Sequence, residues 1–241
     1  MIDVVIYDTV SSPQPWDDSK PCGGSEKQLL CLKRALEGAG CSVLITNARP
    51  RDLRCRALIV SRYSSAPAGI HADCVVSLAQ DQEPHLRSRV GTVVCVSEWQ
   101  RKHIRGDVVI YPFLDAHPDL HRWVRFHNTW AFPCTENKGW RATVDAWRAE
   151  KSEPDVLKWY DPRKTSPFAM QHAIASAEGL FIRNTYPECF PMTVQIGAQA
   201  GCRMDIKCVG HAPCGIVEAQ IPRDLSVDAL LPQWLKVLHL D

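Results

Sequence analysis

The feature that most constrains this chain is its repeated alternation of short β-branched runs with helical stretches. IDVVIY, residues 2–7, reads as a strand buried on both faces, because its apolar run is almost uninterrupted. A polar, Pro-containing loop follows. GGSEKQLLCLKRALEGAG then spaces Leu29, Leu30, Leu32 and Leu36 at helical intervals and ends in Gly38 and Gly40. CSVLITN is the next strand. Strand, glycine-rich loop, helix and strand together make a βαβ unit. RALIVS, CVVSLAQ, GTVVCVS and DVVIYPF continue the strands, and EWQRKHI is a helix. LDAHPDLHRW has weak periodicity and reads as a linker. Beyond it the alternation restarts. NTWAFP, VLKWYD, GLFIRN and MDIKCVG are strands, while KGWRATVDAWRAE, SPFAMQHAIASAE and PMTVQIGAQAG are helices. LSVDALLPQWLKVLHL predicts a terminal helix carrying Pro232. The fold class is therefore α/β, in two halves of similar size, residues 1–116 and 117–241. Ligands of open parallel sheets collect at the carboxyl ends of the strands, so the expected site lies in a cleft between the halves.

A net charge of +1 excludes a whole-molecule attraction to nucleic acid or membrane. Charge is nevertheless uneven: Arg49, Arg51, Arg54, Arg56 and Arg62 stand against Asp52 alone. Such a run is either a solvated surface or a patch for an anionic partner. The N-terminus lacks the pattern of a signal peptide, and no apolar run reaches the roughly 20 residues of a membrane span, so a cytoplasmic protein is expected. The eleven cysteines, an odd number, point to reduced thiols. Cys202, Cys208, His211 and Cys214 form a metal-like group, but structural zinc sites usually use tighter paired spacings, and cysteine in a strand is a small buried hydrophobe. No metal site is expected.

Strand-to-helix junctions are anion sites, because the first helical N–H groups lack partners and the helix dipole is positive there. In RNTYPECFPMTV the helix should begin near Pro191, leaving the amides of Met192 and Thr193 to face a diphosphate. Glu188 just ahead of them cannot bind phosphate, but it can accept hydrogen bonds from sugar hydroxyls beside one. Gly23 and Gly24 precede the first helix, where absent side chains let a ligand approach the backbone. Lys138 in ENKGW occupies a third junction and can neutralise phosphate.

These blocks resemble the family 4 retaining glycosyltransferases. GGSEKQLLCLKRALEGAGCSVLITN is similar to their glycine loop and first helix, VVCVSEWQRKHI to their Ser-x-Trp helix, ENKGWRATVDAW to their Lys-Gly helix, and YPECFPMTVQIGAQAG to their two-glutamate stretch. The resemblance implies a GT-B fold of two Rossmann-like domains facing across a cleft, with a C-terminal helix able to cross back to the first domain. It implies transfer of a sugar from a nucleotide-diphosphate donor, with retention and with no metal or cofactor. Glu188 would contact the donor sugar, Lys138 the phosphates, and Arg183 would stand in for the family's arginine, whose position here is Pro133. The second glutamate falls at Ile196, beside Gln195. Asp81, in the loop that holds His85, is the expected group facing the reacting sugar, and Asp17 and Asp18 are loop acids near the acceptor. Arg49, Arg51 and Arg54 would lie on the acceptor side, where the acceptor is either a hydroxymethylated base in DNA or a saccharide or lipid. A non-catalytic nucleotide-sugar binding protein is the alternative. A dinucleotide oxidoreductase fits less well, since no Gly-x-Gly-x-x-Gly follows the first strand.

Overall fold

A computed structural model describes residues 2–8, 24–62, 66–80, 90–114, 119–133, 135, 138–151, 153–161, 164–212 and 214–241. The described chain forms two units. One contains Ser25–Phe113 and Asp224–Asp241 with the N-terminal strand; the other contains Leu114–Arg223.

The first unit is built on a six-stranded parallel sheet of β1 (Ile2–Tyr7), β2 (Val43–Thr46), β3 (Leu53–Ser61), β4 (Ile70–Leu78), β5 (Thr92–Cys95) and β6 (Val108–Val109). Its order is β2-β1-β3-β4-β5-β6. Val4, Val5 and Ile6 in β1 have no exposed surface, as the apolar run predicts for a strand covered on both faces. Helix α1 (Gly24–Gly38) buries Leu29, Leu30, Leu32 and Leu36, and α2 (Glu98–Ile104) is capped by the Ser97 side chain. DVVIYPF is less of a strand than its composition predicts. Only Val108 and Val109 pair, at the sheet edge, with Val94 and Cys95.

The second unit carries β7 (Phe126–Pro133), β8 (Val156–Tyr160), β9 (Ala177–Asn184) and β10 (Arg203–Cys208), all parallel, in the order β10-β9-β7-β8. Helices α3 (Trp140–Glu150), α4 (Pro167–Ala175), α5 (Met192–Ala200) and the short α6 (Gly215–Ala219) connect and extend them. Alternation along β9 separates two packed faces. Leu180 joins Ile174, Ile196 and Ala200 in one core, while Phe181 meets Trp130 and Trp147 edge-on on the other. The linker LDAHPDLHRW contains a 3₁₀ turn at Leu120–Arg122, and Leu120 is buried in the first of those cores.

The terminal helix α7 (Val227–Val237) is present, with Pro232 inside it, and belongs to the first unit rather than to the predicted span 117–241. The physical reason is its apolar face, which buries Leu230 and Trp234, and a bond from the Cys74 thiol of β4 to the Val237 carbonyl at 3.5 Å.

Both sheets have the same order in terms of their own strands: the first lies between the second and the third. This creates a topological switch point at the carboxyl edge, between β1 and β3 in one unit and between β7 and β9 in the other. In the second unit α3 is fastened there by the fully buried Thr143, whose Oγ1 accepts the Arg183 N–H at 2.9 Å. Thr143→Val keeps the shape and orphans that buried donor. It should cost about 1–3 kcal/mol in urea unfolding, and Thr143→Ser should recover most of the loss.

Candidate functional site

The second unit's switch point brings together two of the predicted residues. Lys138 follows β7 and Glu188 follows β9, and Lys138 Nζ stands 2.6 Å from Glu188 Oε1. The lysine is 39% exposed at its side chain and the glutamate 19%, so the pair remains within reach of solvent. An ion pair of that exposure contributes at most about 1 kcal/mol. A ligand can therefore part it at little cost.

Backbone geometry produces the pairing. Gly139 sits at φ 111°, and a Cβ there would lie 2.2 Å from the Arg183 carbonyl oxygen. Only glycine lets the start of α3 close onto the end of β9. On the other side, the buried Asn184 holds Tyr186 in a tight turn: its amide donates to the Tyr186 carbonyl, and its oxygen accepts the Tyr186 N–H at 3.3 Å. The Tyr186 ring then lies 5.7 Å from Lys138 Nζ, within cation–π range. Tyr186 and Asn184 were not among the predicted site residues, although both stand in the quoted motif. The Asn-x-Tyr spacing that forms the turn was the available signal.

Helix α5 begins at Met192 with Pro191 as a cap that supplies no side-chain acceptor. Val194 and Gln195 donate to the Pro191 carbonyl, while the Met192 and Thr193 amides belong to the first turn, which has no intrahelical acceptor. Both residues are partly exposed. Ile196 and Gln195 do not face this junction. Ile196 is packed into the core with Leu180 and Ala200. Gln195 is fully buried and, with its amide oriented to satisfy the surrounding backbone, donates to the Ala219 and Ile221 carbonyls and accepts the Arg223 N–H at 2.9 Å.

Arg183 is placed differently from its predicted role. Its guanidinium lies over the Phe181 ring, 3.9 Å from the centroid, and binds Glu150 at 2.6 Å and Asp205 at 3.0 Å. Only 3% of its side chain is exposed. The bond from Arg183 holds the Glu150 carboxyl below its usual range. These bonds tie α3, β9 and β10 together and do not reach the Lys138–Glu188 pair.

In the first unit the carboxyl edge carries a buried polar network that sequence reading missed. Asp8, just past β1, is fully buried and binds Arg62, just past β3, at 2.9 Å; Arg62 also binds Glu26 of α1 at 2.6 Å. Beside them Ser61 donates to Gln80, and Gln80 donates to Gln28 at 2.9 Å. A charged residue directly after an apolar strand, as in IDVVIYD, was the signal. Arg62 is thus a core residue and not part of the basic surface. Arg49, Arg51 and Arg54 are exposed, but Arg51 and Arg54 belong to the opposite edge, and Arg49 lies in the connection from β2 to β3. They precede or begin β3, and eight residues of strand place Arg54 about 26 Å from Arg62. Gly24 opens α1, and among the described residues nothing crowds the space where its Cβ would be. Gly23, Asp81, His85, Asp17 and Asp18 lie outside the described residues.

Three of the four grouped metal-type residues come together. The ligand atoms of Cys208, His211 and Cys214 all lie within 4.8 Å of one another, while Cys202 is buried elsewhere with its thiol on the Ile174 carbonyl. Burial, and then the neighbouring Cys214, push the Cys208 thiol above its usual range. Elsewhere in this unit a cavity of about 550 Å³ is lined by Phe126, Lys158, Tyr160, Phe168 and His172, and none of the candidate residues reaches it.

No family model matches the chain, and no curated protein matches it in sequence. Among solved structures it is similar to AviGT4, a glycosyltransferase involved in avilamycin A biosynthesis. The TM-score is 0.64 at 13% identity, over 99% of this chain and 97% of that one. The chain therefore shares the mixed α/β, parallel-sheet fold of that glycosyltransferase. No helix among the described residues is long and apolar enough to cross a membrane.

Gly139→Ala should test the geometry of the pair. It adds a Cβ against a carbonyl at a left-handed position, for a cost of about 1–3 kcal/mol in thermal or urea unfolding. An unchanged melting temperature would show that α3 does not need this close approach.

Proposed function

We propose that the chain is a glycosyltransferase that takes its sugar from a nucleotide-diphosphate donor, held on the second unit, and passes it to an acceptor hydroxyl with retention. The observation that carries this reading is the Lys138–Glu188 pair at the β7/β9 switch point. A ligand binding there must satisfy both charges. An anion alone gains the ammonium but is repelled by the carboxylate that stands 2.6 Å from that ammonium. A polyol alone satisfies the carboxylate and leaves the ammonium. A molecule with a phosphate beside sugar hydroxyls satisfies both. The first-turn amides of α5, four to five residues beyond Glu188, add donors for a second phosphate oxygen. Likeness of fold to a glycosyltransferase supports the same conclusion.

The chemistry follows from these groups. The bond between the anomeric carbon and the bridging phosphate oxygen breaks, and its electron pair goes to the diphosphate. Lys138 and the amides of Met192 and Thr193 stabilise that growing charge. Such prearranged donors are worth most where charge develops during the reaction. Glu188 accepts hydrogen bonds from the sugar hydroxyls and fixes the ring while the acceptor oxygen forms the new bond and gives up its proton to the departing diphosphate oxygen. The exposed arginines at the amino edge of the first sheet do not enter this mechanism, and the acceptor class is set only as a hydroxyl.

A thermal-shift panel of nucleotide-diphosphate sugars, with NAD as the control, should find a donor that raises the melting temperature by mass action. With that donor, Lys138→Ala should lower kcat by about a hundredfold or more. Glu188→Gln should weaken selection among sugars more than it weakens nucleotide binding. Near wild-type turnover in both Lys138→Ala and Glu188→Ala would overturn these roles. Donor binding without nucleotide release on any acceptor would make the chain a binding protein.

A further inference from the structure

The loop after β10 folds back on itself. Gly210 takes φ 79°, and Cys208, His211 and Cys214 converge until their ligand atoms lie within 4.8 Å of one another. We infer that this loop binds one zinc ion through Cys208, His211 and Cys214, as a clamp behind the segment that carries Glu188.

Two thiolates and an imidazole are a preferred zinc donor set. A tetrahedral ion about 2.3 Å from each sulfur sets its ligands roughly 3.5–3.8 Å apart. An ion would therefore draw the three ligand atoms closer than their present limit of 4.8 Å. With three protein ligands, water takes the fourth corner.

Cys214 and His211 already have hydrogen-bond partners of the kind that orient ligands in metal sites. Ligating groups are usually oriented by a second set of hydrogen bonds. Here the Glu188 backbone N–H donates to Cys214 Sγ at 3.2 Å. His211 Nδ1 lies 2.8 Å from the Ala212 carbonyl and Nε2 lies 3.1 Å from the Asn184 carbonyl. A neutral imidazole donates to only one of them. Ligation requires the ring to give up one of these carbonyl contacts, and an N–H on the other nitrogen would fix the tautomer. Cys214 is buried, while Cys208 and His211 are partly exposed, which leaves an entry path.

The loop presses directly on the Glu188 segment. A Cβ on Gly215 would lie 1.6 Å from the Cys189 carbonyl oxygen and 2.9 Å from that of Glu188. An ion that draws Cys208 and Cys214 together therefore fixes the backbone of Glu188 and Cys189 from behind. Metal binding does not depend on the proposed enzymatic activity, so the two stand or fall separately.

The test is metal analysis of the whole chain purified under reducing conditions. Wild-type protein should carry about one zinc per chain. Cobalt in place of zinc should give tetrahedral d–d bands and a thiolate-to-cobalt charge-transfer band. Cys208→Ser, Cys214→Ser and His211→Gln should each drop the stoichiometry towards zero, while Cys202→Ala should keep it. Loss of metal should also lower the melting temperature of the wild type, and added zinc should restore it. The proposal is overturned by wild-type protein that takes up neither zinc nor cobalt after reconstitution. It is equally overturned by a cobalt spectrum unchanged in Cys208→Ser. The wild-type measurements decide the matter even where a variant fails to fold.

Discussion

The position of the first strand of each sheet, between the second and the third, governs the rest of this molecule. Chain leaving two adjacent parallel strands at that point departs in opposite directions, so their loops diverge and leave room at the carboxyl edge. In the second unit that room is bordered by the loops after β7 and β9, which hold Lys138 and Glu188. In the first unit it is bordered by the ends of β1 and β3, where Asp8 and Arg62 meet. Equivalent positions in two sheets thus carry opposite charges facing each other. The difference lies in burial. Asp8 and Arg62 are nearly inaccessible, and breaking such a buried pair from one side typically costs about 3–5 kcal/mol. Lys138 and Glu188 remain partly open to solvent. One pair is suited to hold strand ends, the other to be displaced by a ligand.

Local pattern revealed much of this architecture. Parallel strands covered on both faces read as apolar runs, so β1, β3 and β9 were visible as IDVVIY, RALIVS and GLFIRN. Helices α1 and α5 end at glycines, and α4 begins at a proline. What escaped was tertiary. The two-residue β6 looks longer because VVIY is apolar, but sheet edges pair only as far as their neighbour runs. The return of α7 to the first unit was expected from the family resemblance alone, since its partners, such as Cys74, lie far away in sequence. No local window contains that information.

The site was legible where a loop carries its own chemistry, and illegible where a side chain's role depends on its partners. Lys138, Glu188 and the start of α5 stand in short motifs at strand-to-helix junctions. Arg183 looks equally suitable in sequence. In the fold it lies on the α3 face of β9, with Phe181, and Glu150 and Asp205 take its guanidinium. Arg62 sat within a basic run, yet its position past the end of β3 makes it internal. Spacing alone does not show that Cys208, His211 and Cys214 converge; that depends on the fold of the loop, where Gly210 is left-handed.

The contact between Lys138 and Glu188 has a consequence for turnover under the proposed reading. A donor arrives with both of the features that the pair demands. Once the sugar has left, the remaining nucleotide still attracts the ammonium but no longer supplies hydroxyls to the carboxylate. Glu188 then competes for the lysine at 2.6 Å. Re-forming that contact favours departure of the spent nucleotide. Under that reading, the same two side chains that admit a full donor weaken product inhibition.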